Sequence, residues 1–337
     1  MTDSNPLRLA LVGTGAIAEE LHIPASQAAR NIELVALVDS CATRAQHMGQ
    51  QFEISRTATD LQAVADDVDA VVLATPPHTH LQLTQQACGL GLHVLCEKPL
   101  ANTVRECELM CETAVANNCI LAAAHVYRFW PSRSTLREHL QSGKWGRVQS
   151  VHVSQGRPYS WGATTGYSVR KELVSGGVLI NAGIHPLDSL LWWFGDPVAI
   201  DYRDDALGGL ESNVRMRMEF PGGVSCRFRQ SRTCNLKHEI HIDTDSVHID
   251  LPTHDRSGYF VEAQGQRKRI ECGPDDLSHL QPGINQLEDF SRSILSNDAP
   301  RVSGVEGTRV ISLIESCYKS KRIRGLPTHV PLPGATC

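Results

Sequence analysis

The feature that most restricts the fold is a glycine-rich turn, Gly13-Thr14-Gly15-Ala16-Ile17-Ala18, which follows an apolar run at Leu7–Val12 and opens a helical pattern. In G-x-G-x-x-A the first glycine permits a tight strand-to-helix turn, the second lets a diphosphate approach the backbone, and the alanine allows close helix–sheet packing. The helix N-terminus adds N–H donors and the positive end of its dipole. The lettering alone also occurs in ordinary glycine-rich turns. The strand before it and the helix after it favour a dinucleotide site at Gly13, Thr14, Gly15, Ala16 and Ile17. Asp39 ends the next apolar run, twenty-one residues past Ala18. A carboxylate there accepts hydrogen bonds from ribose hydroxyls and repels a 2′-phosphate, so NAD is favoured over NADP. Arg44 lies near enough to soften that preference, and Asp39 is equally placed to cap a helix starting near Cys41.

Apolar runs at 34–38, 70–74, His93–Cys96 and 120–124 alternate with helical stretches at 16–30, Ala42–Gln51, 81–89 and 104–117. Mostly apolar runs of this length suit strands buried on both faces, as in a parallel sheet. Pro24 is expected to kink or split the first helix, and Thr103 with Glu106 forms a capping-box pattern. The alternation predicts an α/β fold, with a Rossmann doubly wound parallel sheet over residues 1–125.

From residue 126 the rhythm changes. A helix is expected at 132–141, a half-exposed strand at 148–155, and a helix at 183–194. Strand-like segments with turn signals fill 200–270, and Pro221-Gly222-Gly223 marks the clearest hairpin. Helices near 284–295 and 306–322 follow. Residues 126–337 are read as a C-terminal α+β domain with a large open, mainly antiparallel sheet. Its open face calls for cover, and a partner subunit would supply it, hence an expected homodimer or homotetramer.

The 337 residues suit two domains. A net charge of −5 leaves no basic excess to bind nucleic acid. The first apolar run is too short, and its flank too poor in basic residues, for a signal peptide or membrane span. The eleven cysteines are scattered without a C-x-x-C pair, which reads as reduced thiols in a cytoplasmic protein.

Three further segments carry chemistry. They are Ala74-Thr75-Pro76-Pro77-His78-Thr79-His80, then His93-Val94-Leu95-Cys96-Glu97-Lys98-Pro99, and Gly176-Gly177-Val178-Leu179-Ile180-Asn181-Ala182-Gly183-Ile184-His185-Pro186-Leu187-Asp188. In this order they resemble the Gfo/Idh/MocA oxidoreductase family, which includes glucose-fructose oxidoreductase and inositol dehydrogenase. The resemblance spans most of the chain. It implies a Rossmann domain, a C-terminal α/β domain, and NAD(H)-dependent hydride transfer at a hydroxyl or keto carbon of a sugar, nucleotide-sugar or polyol. The family also contains NAD-dependent glycosidases and dinucleotide-binding regulators without turnover, and both stay open as alternatives.

Lys98 matches the family's catalytic lysine. Independently, it follows an apolar strand at the edge where ligands of such sheets bind, and an ammonium there stabilises an alkoxide. The alternative for its neighbour Glu97 is a surface salt bridge; otherwise Glu97 holds the lysine or touches the cofactor. His185 matches the catalytic histidine, an imidazole able to take and return a hydroxyl proton. Asn181 stands where the family usually has Asp, and an amide hydrogen-bonds without stabilising an imidazolium by charge. Thr75, Pro76, Pro77 and His80 are expected to line the cofactor. Tyr127, Arg128, Trp161, Tyr167 and Arg170 are expected to meet the substrate, with packing or a solvated surface as the plain alternative. His78-x-His80 and His238-x-x-His241 lack companion ligands at a recognisable spacing, so no metal is expected.

Overall fold

The computed structural model describes residues 5–158, 166–274 and 277–320. The chain divides into two compact units. In the first, β1 (Leu7–Val12) is followed by a π turn, Ala18–His22, closed by the Ile23 N–H on the Ala18 carbonyl. Helix α1 (Ile23–Ala28) continues from it. Pro24 therefore falls in the first turn of a new helix, where a missing N–H costs little, and splits the expected helix at its start.

Next come β2 (Ile32–Val38), α2 (Ala42–Gln51), β3 (Arg56–Ala58), β4 (Ala70–Leu73), α3 (His80–Gly89), β5 (His93–Cys96), α4 (Val104–Ala116) and β6 (Leu121–Ala123). The capping box of α4 forms: Thr103 Oγ1 accepts from the Glu106 N–H, and the Glu106 carboxylate accepts from the Thr103 N–H. All six strands are parallel, in the order β3-β2-β1-β4-β5-β6. The order reverses direction between β1 and β4, and at that switch point the carboxyl ends of the strands leave a crevice for ligand.

The second unit contains α5 (Pro131–Gln141), β7 (Val148–Gly156), a π turn Leu179–Gly183 running into α6 (Ile184–Phe194), then β8 (Ala199–Asp204), β9 (Asn213–Phe220), β10 (Val224–Ser231), β11 (Glu239–Thr244), β12 (His248–Pro252), β13 (Gly258–Ala263) and β14 (Gln266–Glu271). They form one eight-stranded sheet, β14-β13-β12-β11-β7-β10-β9-β8. Every pairing is antiparallel except the one between β7 and β10. Residues alternate along each strand. Val151, Val153, Met216, Met218, Phe228, Ile240 and Ile242 are buried, and the residues between them are charged or polar. The outward face is thus polar, which removes the hydrophobic reason for covering it.

The last elements among the described residues are α7 (Gln281–Ser296) and α8 (Gly304–Ser320). Here the expected single boundary between 125 and 126 is corrected. Ser278–Ile311 groups with the first unit. Leu287 and Phe290 of α7 join the core formed by Leu9, Leu11, Ile23 and Leu37, and the Ala123 N–H of edge strand β6 donates to the Val302 carbonyl. The sequence reading took α7 for part of the second domain because helical periodicity says which face is apolar, not which core receives it.

Candidate active site

The glycine turn leaves β1 at the switch point. Gly13 has φ +97°, and a Cβ there would stand 2.6 Å from the Ala74 carbonyl oxygen, so a side chain is excluded twice over. At Gly15 a Cβ would meet nothing within 4 Å. The backbone beside Gly15 is open, and the Ala18 and Glu19 N–H groups close on the Gly15 carbonyl at 3.0 and 3.2 Å, so the donors offered to a ligand are those ahead of them at the start of the turn. This open, donor-bearing surface fits a diphosphate.

Asp39 follows β2 and is nearly buried. Its carboxylate accepts from Thr14 N–H and Oγ1 (2.9 Å each), from Cys41 N–H (2.9 Å), and from Arg44 through Nε (3.0 Å) and Nη2 (2.6 Å). Burial pushes this carboxyl up, but the Arg44 bond and the backbone donors outweigh it and hold the group below the usual range. Asp39 is therefore an anion clamped between the glycine turn and Arg44. Ribose hydroxyls that bind it must share or displace the guanidinium.

Lys98 lies two residues past the end of β5 and is part-buried, with a cis bond to Pro99. Loss of water pushes its ammonium down from the ordinary lysine value, and the neighbouring Glu97 charge opposes that shift. Glu97 is buried. Its Oε1 lies 2.8 Å from His22 Nε2, and its Oε2 accepts from the Lys98 N–H at 2.9 Å. Burial raises the Glu97 carboxyl, while the His22 bond and the His22 and Lys98 charges bring it below the usual range. His22, 1% exposed, ends the π turn of the first helix. The sequence reading missed it, because a histidine inside an amphipathic pattern carries no sign of which carboxylate it will meet.

The loop after β4 is tied to the Lys98 loop. Thr75 Oγ1 and Thr79 Oγ1 are 2.7 Å apart, and Thr79 Oγ1 also donates to the Pro76 carbonyl. His80 was expected to line the cofactor, and this is corrected. Its ring is fully buried, with Nε2 2.8 Å from the Thr75 carbonyl and Nδ1 3.1 Å from the carbonyls of Pro99 and Leu100. Burial pushes His80 down toward the neutral form, which suits a brace between two loops better than a ligand contact. Pro77 is buried and Pro76 half-buried.

In the second unit the π turn carries Asn181, and α6 begins one residue before His185. Glu211, buried, holds the start of this segment: it accepts from the N–H groups of Gly177 (2.7 Å) and Leu179 (3.0 Å) and from the Tyr318 hydroxyl (2.8 Å). Negative charge at a helix start is stabilising. The His185 ring stacks on Tyr127, with centroids 4.4 Å apart and planes 19° apart. The Arg133 guanidinium lies over the Tyr127 ring, 4.5 Å from its centroid.

Arg128 was expected to face substrate, and this too is corrected. It is 2% exposed and bound to Asp188 of α6, with Nε 3.0 Å from both carboxylate oxygens and Nη2 2.7 Å from Oδ1. A cation so paired anchors α6 one turn beyond His185. Tyr167 is half-buried and Arg170 exposed, while Trp161 lies outside the described residues.

A parallel sheet in this strand order, with a bare glycine turn at its switch point and a desolvated lysine two strands away, defines a dinucleotide-dependent oxidoreductase. Comparison with known proteins agrees. Residues 7–125 match the model of an oxidoreductase family with an NAD-binding Rossmann fold, and residues 134–249 match the GFO/IDH/MocA C-terminal domain. The chain belongs to the Gfo/Idh/MocA family of NAD-binding oxidoreductases. Among curated relatives, D-glucoside 3-dehydrogenase of Escherichia coli (strain K12) is 34% identical over 198 residues, or 58% of this chain. That match spans only 56% of the relative. Rhizopine catabolism protein MocA of Rhizobium meliloti is 28% identical over 88% of this chain and 98% of its own length. Among solved structures, aldose-aldose oxidoreductase from Caulobacter crescentus complexed with glycerol has the same fold, with a TM-score of 0.87 at 23% identity, covering 96% of this chain and all of that one. No helix among the described residues is long and apolar enough to cross a membrane.

Proposed function

We propose that the chain oxidises a secondary alcohol of a sugar-like substrate, or runs the reverse ketone reduction, with Lys98 and His185 as its catalytic residues. NAD, which the Gly13–Ile17 turn and Asp39 would hold, would supply the hydride acceptor for the alcohol carbon and, when reduced, the hydride donor. The chain's own groups handle the proton. His185 takes the hydroxyl proton, and the Lys98 ammonium hydrogen-bonds the oxygen as it becomes an oxyanion. Glu97 steadies the lysine, and Asp39 selects the ribose over its 2′-phosphate. Asn181, four residues before His185, offers a neutral amide where an Asp would bring a charge. Relatives named as a D-glucoside 3-dehydrogenase, a D-xylose 1-dehydrogenase [NADP(+)] and a 1,5-anhydro-D-fructose reductase support the sugar assignment.

The observation that carries this reading is Lys98, a desolvated amine at the carboxyl edge of the sheet beside a buried carboxylate. The test is NADH formation or consumption across a panel of sugars, polyols and nucleotide-sugars. With Lys98→Ala or His185→Ala we expect kcat to fall by about 10²–10³. Full activity in both variants overturns the assignment. Hydrolysis of a glycoside with no net NADH change marks a glycosidase instead.

We place the protein in the cytoplasm, supported by the free thiols among the described residues. We also propose a homo-oligomer. Arg203, Arg215 and Arg229 stand in register across β8, β9 and β10, as do Arg217 and Arg227, on the outward face of the second sheet. Like charges so opposed repel, and acidic groups of another copy would relieve them. Light scattering at low and high salt tests this, and a monomer at every concentration refutes it.

A further inference from the structure

The outward face of the second sheet holds a cluster unrelated to the dinucleotide chemistry. The triplet His-Ile-Asp occurs twice nearby, at His241-Ile242-Asp243 on β11 and His248-Ile249-Asp250 on β12. The strands are antiparallel and their register pairs His241 with Asp250 and Asp243 with His248. Both isoleucines are buried, so all four polar side chains project outward together. Each histidine thus stands opposite the other triplet's aspartate, a local two-fold arrangement built by the hairpin.

The atoms converge on Asp243. Its Oδ1 lies 2.9 Å from His241 Nε2 and 2.6 Å from His248 Nδ1. One ligand atom from each of these three residues lies within 4.8 Å of the others. A second tier stands behind them. Asp250 Oδ1 is 2.6 Å from His241 Nδ1, Ser150 Oγ donates to Asp243 Oδ2 at 2.7 Å, and Arg267 approaches Asp250 at 3.2 Å. The carboxylate on the far nitrogen of His241 is the arrangement that orients a metal-binding imidazole and raises its donor strength.

We propose that His241, Asp243 and His248 bind one divalent transition-metal ion of the zinc type. Two imidazoles and a carboxylate match the ligand preference of such ions, and His248, more than half exposed, leaves the solvent side open for a fourth ligand. A tetrahedral ion with bonds of about 2.0–2.1 Å needs its ligand atoms about 3.3 Å apart, so the two contacts to Asp243 Oδ1 open by less than ~1 Å to admit it. Without an ion, His241 faces a carboxylate oxygen at each nitrogen, Asp243 Oδ1 at Nε2 and Asp250 Oδ1 at Nδ1. Binding sends any proton on Nε2 to solvent, while the His241 Nδ1–H donates to the Asp250 carboxylate. The ion ties β11 to β12 across their turn, apart from the Lys98 chemistry.

The experiment titrates the full chain, stripped with chelator, with Co²⁺ alone and then Zn²⁺ alone, following the visible Co²⁺ bands and metal content after dialysis. One equivalent is expected, with the intense spectrum of a four-coordinate site. Asp243→Asn and His248→Ala are expected to abolish it, with turnover and circular dichroism unchanged. Asp250→Asn is expected to weaken it about 10–100-fold. No uptake by the parent, or uptake that survives Asp243→Asn or His248→Ala, overturns the proposal.

Discussion

Substituting alanine for His22 removes the side chain that holds Glu97 from inside the first helix. In the parent, His22 Nε2 is 2.8 Å from Glu97 Oε1, and both side chains are out of reach of solvent that might replace the bond. A hydrogen bond to a charged group contributes about 1.5–3 kcal/mol, and vacating a buried ring adds part of a cavity penalty, so we expect a loss of about 2–4 kcal/mol. Equilibrium urea unfolding measures it. The pH dependence gives a second reading. The Glu97 carboxyl is depressed in the folded state, so its contribution is present above the unfolded value, about 4.3, and is lost as pH falls through the folded value. Without His22 the folded value rises and that contribution shrinks. The gap between parent and variant should be widest near neutrality and close below about pH 4. His22→Gln, which offers an amide donor, should recover much of the loss. A difference under about 0.5 kcal/mol, or a glutamine variant no better than alanine, refutes the argument.

Other outcomes follow from the same geometry. Asp188→Ala strands the buried Arg128 guanidinium and should cost about 3–5 kcal/mol in urea unfolding, much of it regained when Arg128→Met is added. Gly15→Val should leave the melting temperature unchanged, since nothing stands where its Cβ goes, yet weaken NAD binding at least ~10-fold in a fluorescence titration, because the side chain fills the diphosphate approach. The activity of Lys98 as a cation should decline with rising pH earlier than the ordinary lysine value near 10.4 predicts, because desolvation lowers it, and a kcat/KM profile will show this.

Much of the first unit was legible because its signals are local. Leu7–Val12 and His93–Cys96 have the expected bounds, and the capping box of Thr103 and Glu106 forms as its spacing requires. Arg56–Ala58 escaped notice: three polar-flanked residues at a sheet edge carry no periodicity. In the site, the glycine turn, Asp39 and Lys98 declare themselves through position relative to strands. His22, Glu211 and Asp188 act through partners 75, 34 and 60 residues away, and nothing in a one-dimensional pattern names such partners. His80 and Arg128 misled for the converse reason. Their residue types suit ligand contact, but burial consumed them in holding loops and helices together. The paired His-Ile-Asp triplets were visible as letters, yet only the antiparallel register makes them a cluster.

The return of α7 to the first core bears on how the molecule is made. The nucleotide-binding half is not finished when the ribosome has passed Val126, because the apolar surface around Ile23 and Leu37 still awaits Leu287 and Phe290. A gene cut after residue 126 would therefore yield a sticky fragment rather than a working module, and during synthesis that greasy patch stays bare until Phe290 has emerged.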